Sequence, residues 1–454
     1  MSAFRLRAGL ATTPPVRAAV GRRDAKIAGR QSGYDSRLAG MPPAIDPIEF
    51  WRFLVFDIAI LGQVALGYCP FIDRDRTVTA TRLTAIPLIP ASRLDAAEFL
   101  EVVRGVWPAD GGRVSLNVVS ESLLHDLLDA KPASNIMIEV PAFMAGDEAN
   151  TEAIRRLHDN GNELLIKGRP VRELPRDVLP CFRYAIIDLS EDRRINSGQS
   201  APAGVKRTIA HVQSGVRSRD QMEGSFSRGA AAVLGWPIDD AIDTPAEAAA
   251  MPQTDMAVIV ELIGQVDAKA PVEQLEATLR RDPTLAFRLL RYINAPPFGL
   301  QVEIGSFRHA IMMLGYERLK RWLALLLATA SREAGVKPLM FAAVRRGLLM
   351  EELARGSGDE VMRSEMFICG IFSLLDRMLQ QPFADLLQTI PVSDRVQRAL
   401  NDNAGPYQPY LALVNAIEAG TLEDFRQAAN HSMLGVAEIN RALLTALAVA
   451  ERVR

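Results

Sequence analysis

The stretch VSLNVVSESLLHDLLDAKPASNIMIEV, residues 114–140, carries the decision about the fold. Val114–Val118 and Ile136–Val140 are short, apolar, β-branched runs of strand length. Between them Leu123, Leu124, Leu127 and Leu128 fall at i, i+1, i+4 and i+5, the stripe of a helix laid on a sheet. Working outward, strand-like runs recur at Val64–Ile72, Leu164–Ile166, Tyr184–Leu189 and Thr208–Gln213. Helical patterns lie at Ala96–Val103 and Thr151–His158, with Gly161 placed as a helix stop. The alternation predicts an α/β layer with a mainly parallel sheet, open or barrel-like, over residues 46–236.

From Met256 to the C-terminus the pattern changes to helices alone. Asp282-Pro283 reads as an N-cap followed by proline at the first helical position. Leu285, Leu289 and Ile293 then repeat on one face, and Asn294 with Pro296-Pro297 stops the helix. The segments Ser306–Thr329, Leu339–Arg355, Ser364–Leu379, Tyr410–Glu418 and Leu434–Arg452 complete an all-α domain over 256–454. Residues 237–255, with Asp239, Asp240, Asp243, Pro245, an alanine run and Pro252, read as a linker.

Composition bounds the rest. The 454 residues are 48% hydrophobic and 23% charged with a net charge of -2, so no overall basic field favours nucleic acid. Cys69, Cys181 and Cys369 have no zinc-ligand or redox spacing, which suits a cytoplasmic compartment. Residues 1–45 form a basic leader (Arg5, Arg7, Arg17, Arg22, Arg23, Arg30, Arg37) without the apolar core of a signal peptide. Phe50–Ile72 is apolar, but Asp57 lies inside it and Gly62, Gln63, Gly67 and Pro70 interrupt it. A helix followed by a buried strand is expected there, not a membrane span.

In the helical half, Leu275 to Leu285 runs into Arg288-Leu289-Leu290-Arg291-Tyr292-Ile293-Asn294, followed by Ile304-Gly305-Ser306-Phe307-Arg308-His309-Ala310-Ile311 and Leu314-Gly315. This resembles the HDOD domain, a helical signalling domain related to the HD phosphohydrolases but generally without their metal site. The alternating half resembles an EAL domain, the TIM-like barrel that hydrolyses cyclic di-GMP in active members. Pro70-Phe71-Ile72-Asp73-Arg74, Leu116-Asn117-Val118, Ile138-Glu139-Val140, Ala185-Ile186-Ile187-Asp188, Ala210-His211-Val212-Gln213-Ser214 and Leu234-Gly235-Trp236 match its strands in order. The chain between Asp188 and Lys206 is short and polar, so the barrel is expected to be trimmed or incomplete.

The resemblance also implies where metal-ion hydrolysis would need acidic side chains. Asn117 and Glu139 stand at two of those positions as vestiges. Arg82 falls at the signature glutamate, Ala142 at a second acid, Lys167-Gly168 at paired aspartates, Ile186 at a lysine, and His211 and Gln213 at two glutamates. Arg82 and Lys167 in one cup would repel divalent cations. In the helical half Ser373 and Leu374 stand where an HD enzyme has its His-Asp doublet, and neither ligates like imidazole or carboxylate. His125, His158, His211, His309 and His431 show no metal-ligand spacing, and no glycine loop of the phosphate-binding type occurs.

No cofactor is expected. The leading expectation is a non-catalytic signal-transduction adaptor that binds a signalling protein. One candidate surface is Arg318-Leu319-Lys320-Arg321-Trp322; the plainer expectation has the basic residues solvating one face while Trp322 packs inside. Met312, Met313, Met340, Met350, Met362 and Met366 suit either an adaptable groove or core filling. The alternatives are a cyclic di-GMP receptor using Arg82 and Lys167 without hydrolysis, and a weak cyclic di-GMP phosphodiesterase.

Overall fold

The computed structural model describes residues 58–90, 92–170, 174–192, 209–240, 254–279, 285, 307–329, 336–390 and 392–452. The expected leader, most of the linker and the capped helix at Asp282-Pro283 lie outside the described residues. The chain from Phe50 onward forms one compact unit.

Eight strands close a barrel in sequence order: β1 (Val64–Asp73), β2 (Val78–Pro87), β3 (Val114–Val118), β4 (Ile136–Pro141), β5 (Leu164–Lys167), β6 (Phe182–Asp188), β7 (Ala210–Val216) and β8 (Ala232–Gly235). The expectation of an incomplete barrel is therefore corrected: shortening the polar connection after Asp188 left the strands on either side paired, with Asp188 opposite Ser214. β1 runs antiparallel to both β2 and β8, and every other neighbour is parallel. The turn from β1 into β2 is pinned by Asp73, whose carboxylate accepts from the amides of Asp75 and Thr77 at 2.9 Å each.

Helices α1 (Ala96–Val106), α2 (Glu121–Asp129), α3 (Thr151–Asp159) and α4 (Arg219–Ser227) connect successive strands. Their starts follow local chemistry. Asp95 accepts from the amides of Ala97 and Glu98, Ser120 from Leu123, and Ser218 forms a capping box with Gln221. The leucine stripe Leu123, Leu124, Leu127 and Leu128 is buried as the spacing predicts.

The helical half comprises α5 (Thr254–Asp267), α6 (Val272–Leu279), α7 (Phe307–Thr329, broken at Gly315), α8 (Lys337–Leu353), α9 (Glu360–Phe372), α10 (Leu375–Leu379), α11 (Phe383–Thr389), α12 (Asp394–Asn401), α13 (Gln408–Ala419), α14 (Leu422–Ser432) and α15 (Val436–Arg452). The predicted single helix over Ser364–Leu379 is two, because the chain turns at Ser373-Leu374. α8 and α9 cross closely: a Cβ on Gly370 would stand 2.5 Å from the Arg346 carbonyl oxygen. Among the described residues no single helix is long and apolar enough to cross a membrane. α14 and α15 pass by composition only as a pair, bent by 102°.

The two halves are joined along one edge of β1. β8 is short and pairs with β1 only at Phe71, Ile72 and Asp73, so among the described residues the earlier part of β1 has no strand on that side. Side chains serve its backbone instead. Asn440 of α15 is fully buried; its Oδ1 accepts from the Leu66 amide at 3.2 Å, and its Nδ2 donates to the carbonyls of Leu61 and Val64 at 2.7 Å each. The Trp236 indole donates to the Tyr68 carbonyl at 3.0 Å. Gly67 permits this approach, since a Cβ there would meet the Ile417 carbonyl oxygen of α13 at 2.9 Å. Pro237–Asp240, expected as linker, is likewise docked: the Ile238 amide donates to the Arg217 carbonyl, and Asp240 accepts from the first amide of α4.

Replacing Asn440 by leucine strands three buried backbone groups, each worth about 1–3 kcal/mol when unsatisfied. Urea unfolding of Asn440→Leu is expected to lose about 3 kcal/mol or more. An Asn440→Ser variant able to keep one of the bonds should lose less.

Candidate functional site at the barrel mouth

Strand alternation decides what the barrel interior contains. One ring of apolar residues fills it: Phe71, Ala80, Met137, Leu165, Ile186 and Val212, with Ala232 and Leu234. Two residues further along β2, β4, β5, β6 and β7 lie Arg82, Glu139, Lys167, Asp188 and Ser214, and β3 contributes Ser115 and Asn117 in register with Arg82 and Thr84. This polar layer sits directly over the apolar plug, toward the C-terminal ends of the parallel strands, where barrel enzymes place their chemistry.

At its centre, Arg82 grips Glu139 in a two-pronged pair, Nε to Oε1 at 2.7 Å and Nη2 to Oε2 at 2.5 Å. The Glu139 side chain is 0% exposed and that of Arg82 13%. Ser115 Oγ donates to Glu139 Oε1 at 3.0 Å. Beside this pair, Lys167 Nζ donates to Asn117 Oδ1 at 2.8 Å, and Asn117 Nδ2 donates to Thr84 Oγ1 at 3.1 Å. Ser214 Oγ donates to Asp188 at 3.1 Å, and Asp188 also accepts from the Ser190 amide and hydroxyl.

Electrostatics follow from this packing. Burial pulls the Arg82 pKa down, but the charge and hydrogen bonds of Glu139 more than offset it, leaving it above the ordinary arginine value. Lys167 is lowered, first by burial and then by Arg82, with Glu139 and Asp188 opposing. Cys69, on the neighbouring strand, is pushed up to about 11 by burial, Arg82 partly opposing. It is therefore a neutral thiol.

The layer brings Arg82, Asn117, Glu139 and Lys167 together as the strand register implied. His211 and Gln213 are not in it, and their assignment to the cup is corrected. Val212 faces the interior opposite Ile186, so its two neighbours point to the other side of β7. There His211 Nε2 lies 3.2 Å from Gln213 Oε1, and Gln213 Nε2 donates to the Ile187 carbonyl at 2.8 Å. Ile186 is part of the plug. Ala142 opens the helical turn Ala142–Ala145, half-buried against the outer core, and Gly168 (φ 85°) ends β5. Thr84, Ser115 and Ser214 were not singled out in the sequence; their alternation with Arg82, Asn117 and Val212 was the available signal.

The EAL resemblance implies divalent cations held by carboxylates here. The residues present do not fit them. Both Glu139 oxygens and the Asn117 oxygen already accept from cationic side chains, and among the described residues no three His, Cys, Asp or Glu side chains stand together as a ligand set.

In the helical half Ser373 is buried. Its Oγ accepts from Arg346 Nη1 at 3.1 Å and donates to the Gly370 carbonyl at 2.7 Å, while Leu374 is fully enclosed. Arg346 forks onto Glu418 of α13, with Nη2 to Oε2 at 2.6 Å. The basic–aromatic surface is mostly spent internally. Trp322 is buried, Arg321 forks onto Glu351 at 2.9 and 2.6 Å and covers the Phe367 ring, and Lys320 pairs with Asp267. Arg318 stays exposed. Of the methionines, Met350 and Met366 are core, whereas Met312 and Met313 are exposed.

The fold and site thus define a closed eight-stranded barrel fused to a helical domain, and comparison with known proteins adds detail. Residues 251–390 match the HDOD domain family. The chain is 29% identical over 174 residues to YuxH, an uncharacterized protein of Bacillus subtilis, a match covering 37% of this chain and 42% of that protein. It is 27% identical over 154 residues to the cyclic di-GMP phosphodiesterase CdgJ of Vibrio cholerae, covering 34% of this chain and 36% of that protein. These matches span about two fifths of the curated relatives' own length. Among solved structures the EAL enzyme Bd1971 in its cGMP-bound form is similar at 13% identity and a TM-score of 0.31, covering 43% of this chain and 67% of that one.

Two outcomes test the polar layer. Arg82→Met leaves Glu139 buried without its counter-charge and is expected to cost about 3–5 kcal/mol in urea unfolding. Adding Glu139→Met should restore most of that loss, since an apolar pair of similar volume commonly matches a buried ion pair. Lys167 titrates below the ordinary lysine value when folded, so the unfolded chain binds more protons between the two pKa values. Its contribution to stability therefore rises with pH through that window, and its cost is fully present below it. Unfolding free energies of wild type and Lys167→Met, measured from pH 7 to about 10.5, should shift in favour of wild type as pH rises.

Proposed function

We propose that this chain is a non-catalytic signal-transduction protein that acts by holding a protein partner, with a barrel that has given up phosphodiester hydrolysis. One observation carries the reading: the buried carboxylate at the barrel mouth, Glu139, has both oxygens engaged by the Arg82 guanidinium. A two-metal hydrolysis needs several carboxylates at one point to hold hard cations and lower the pKa of water. Here a fixed cation on the chain itself takes that place, with the Lys167 ammonium beside it. The named activity of CdgJ and the HDOD match support a place in cyclic di-GMP signalling. The described residues carry no acidic cluster of the kind turnover would use.

The receptor reading, cyclic di-GMP bound without hydrolysis, is less supported. Arg82 and Lys167, the two groups proposed to meet phosphates, are already engaged by Glu139 and Asn117, so a phosphate would have to displace them.

The decisive measurement is chromatographic. Purified protein incubated with cyclic di-GMP and either magnesium or manganese is expected to release no linear product. Turnover that disappears in Glu139→Ala would overturn the non-catalytic reading. Calorimetric heat with cyclic di-GMP at tens of micromolar, lost in Lys167→Ala, would move the chain from adaptor to receptor.

A further inference from the structure

A cavity of about 300 Å3 lies where the barrel rim meets the helices, apart from the barrel mouth. From the barrel it is lined by Arg217, which directly follows β7, and by Trp236, which directly follows β8. From the helices come Arg346, Arg377, Asn415 and Glu418. Its volume is at the lower end of the range for small-molecule sites. A second hollow of about 630 Å3 shares Arg217, Leu411, Asn415 and Ala419 with it, so the space continues beyond the charged part.

The lining of this cavity holds more guanidinium than carboxylate groups. Three guanidinium groups line it against two carboxylates, and both carboxylates are already engaged. Arg346 forks onto Glu418, with side chains 5% and 4% exposed, and Arg217 Nε donates to Asp239 at 2.5 Å. The third guanidinium, Arg377, has the charge of the adjacent Asp376 carboxylate to face it, but its Nε is buried and makes no hydrogen bond. An acceptor entering the cavity would satisfy this donor.

We infer that this cavity is a binding site for a small phosphorylated metabolite, with the phosphate held by Arg377 and the outer nitrogens of Arg217. The donors available are a whole guanidinium, part of a second, and the Asn415 amide. They exceed what the two oxygens of a carboxylate can use, and they match a tetrahedral phosphate, which accepts bidentate contacts from several arginines. The position agrees with general barrel architecture, in which loops after the seventh and eighth strands commonly bind phosphate. The ligand would touch both halves of the chain at once, Arg217 and Trp236 on one side and Arg377 and Asn415 on the other. Its binding would therefore stabilise the seam.

The inference is independent of what the barrel mouth does and is tested on the full chain with inorganic phosphate as the probe. Calorimetry and thermal unfolding are run in sodium phosphate, with sodium acetate and sodium chloride at matched ionic strength. Phosphate is expected to release heat and raise Tm at millimolar concentration while acetate and chloride do neither. Arg377→Ala should weaken phosphate binding about tenfold or more, the loss of charge-assisted hydrogen bonds. Arg217→Ala should weaken it less, and Arg377→Lys should fall between wild type and alanine. Should Arg377→Ala fail to fold, the other two variants carry the comparison. Acetate binding as well as phosphate, phosphate heat unchanged in all three variants, or no heat in the wild type would each overturn the assignment.

Discussion

The short eighth strand sets the terms for the whole molecule. A barrel removes the liability of sheet edges only if its last strand pairs along the full length of its first. Here β8 reaches only three residues of β1, and the preceding stretch of β1 keeps backbone groups that need partners. Asn440 and Trp236 supply them, and Asn440 comes from the last helix of the chain. The barrel therefore closes with the help of the helical half. Reading the two as beads on a linker misses the dependence, as the docking of Ile238 and Asp240 onto the β7–α4 connection also shows.

Both halves meet a buried carboxylate in the same way. In the barrel Arg82 holds Glu139, and in the helices Arg346 holds Glu418. Removing a carboxylate from water costs several kcal/mol unless a counter-charge with matching geometry is present, and the planar guanidinium provides two parallel hydrogen bonds. The second pair lies near the seam, because the Tyr68 hydroxyl from β1 is close enough to Glu418 to be affected. Burial raises the Tyr68 pKa well above its usual value and Glu418 adds to it, against Arg345 and Arg346. The seam also carries the Arg345–Glu451 pair, with Arg345 resting on the Phe341 ring. Such pairs do little for net stability compared with an apolar substitute. Each ties elements within one half: β2 to β4, α8 to α13, and α8 to α15.

Much of this was legible in the sequence, and the remainder was hidden for physical reasons. Apolar strand runs and leucine stripes located six of the eight strands and the helices between them. β2 was passed over as a strand because Val78–Pro87 alternates threonine with apolar residues, and only its motif position drew attention to Arg82. The EAL resemblance drew attention to Arg82; that Arg82 would turn onto Glu139 could not be read, since register alone does not give rotamers. His211 and Gln213 were misplaced by one position. Within a strand a single step exchanges inside for outside, and Val212 was the residue facing in. Asn440 gave no signal at all, because one asparagine in an amphipathic helix looks like a solvated position until the strand edge it serves is known.

The seam also bears on how a displacement in one half would reach the other. Two halves tied only by a flexible linker would move independently. Here Gly67 brings β1 within van der Waals contact of α13, and Glu418 on that same helix holds Arg346 of α8, which in turn reaches Ser373 at the α9–α10 turn. A displacement of β1 against α13 must either break the Glu418 fork, leaving two charges buried without partners, or carry α8 and the α9–α10 turn with it. The first costs several kcal/mol. Moving the helices as a body is therefore the cheaper response.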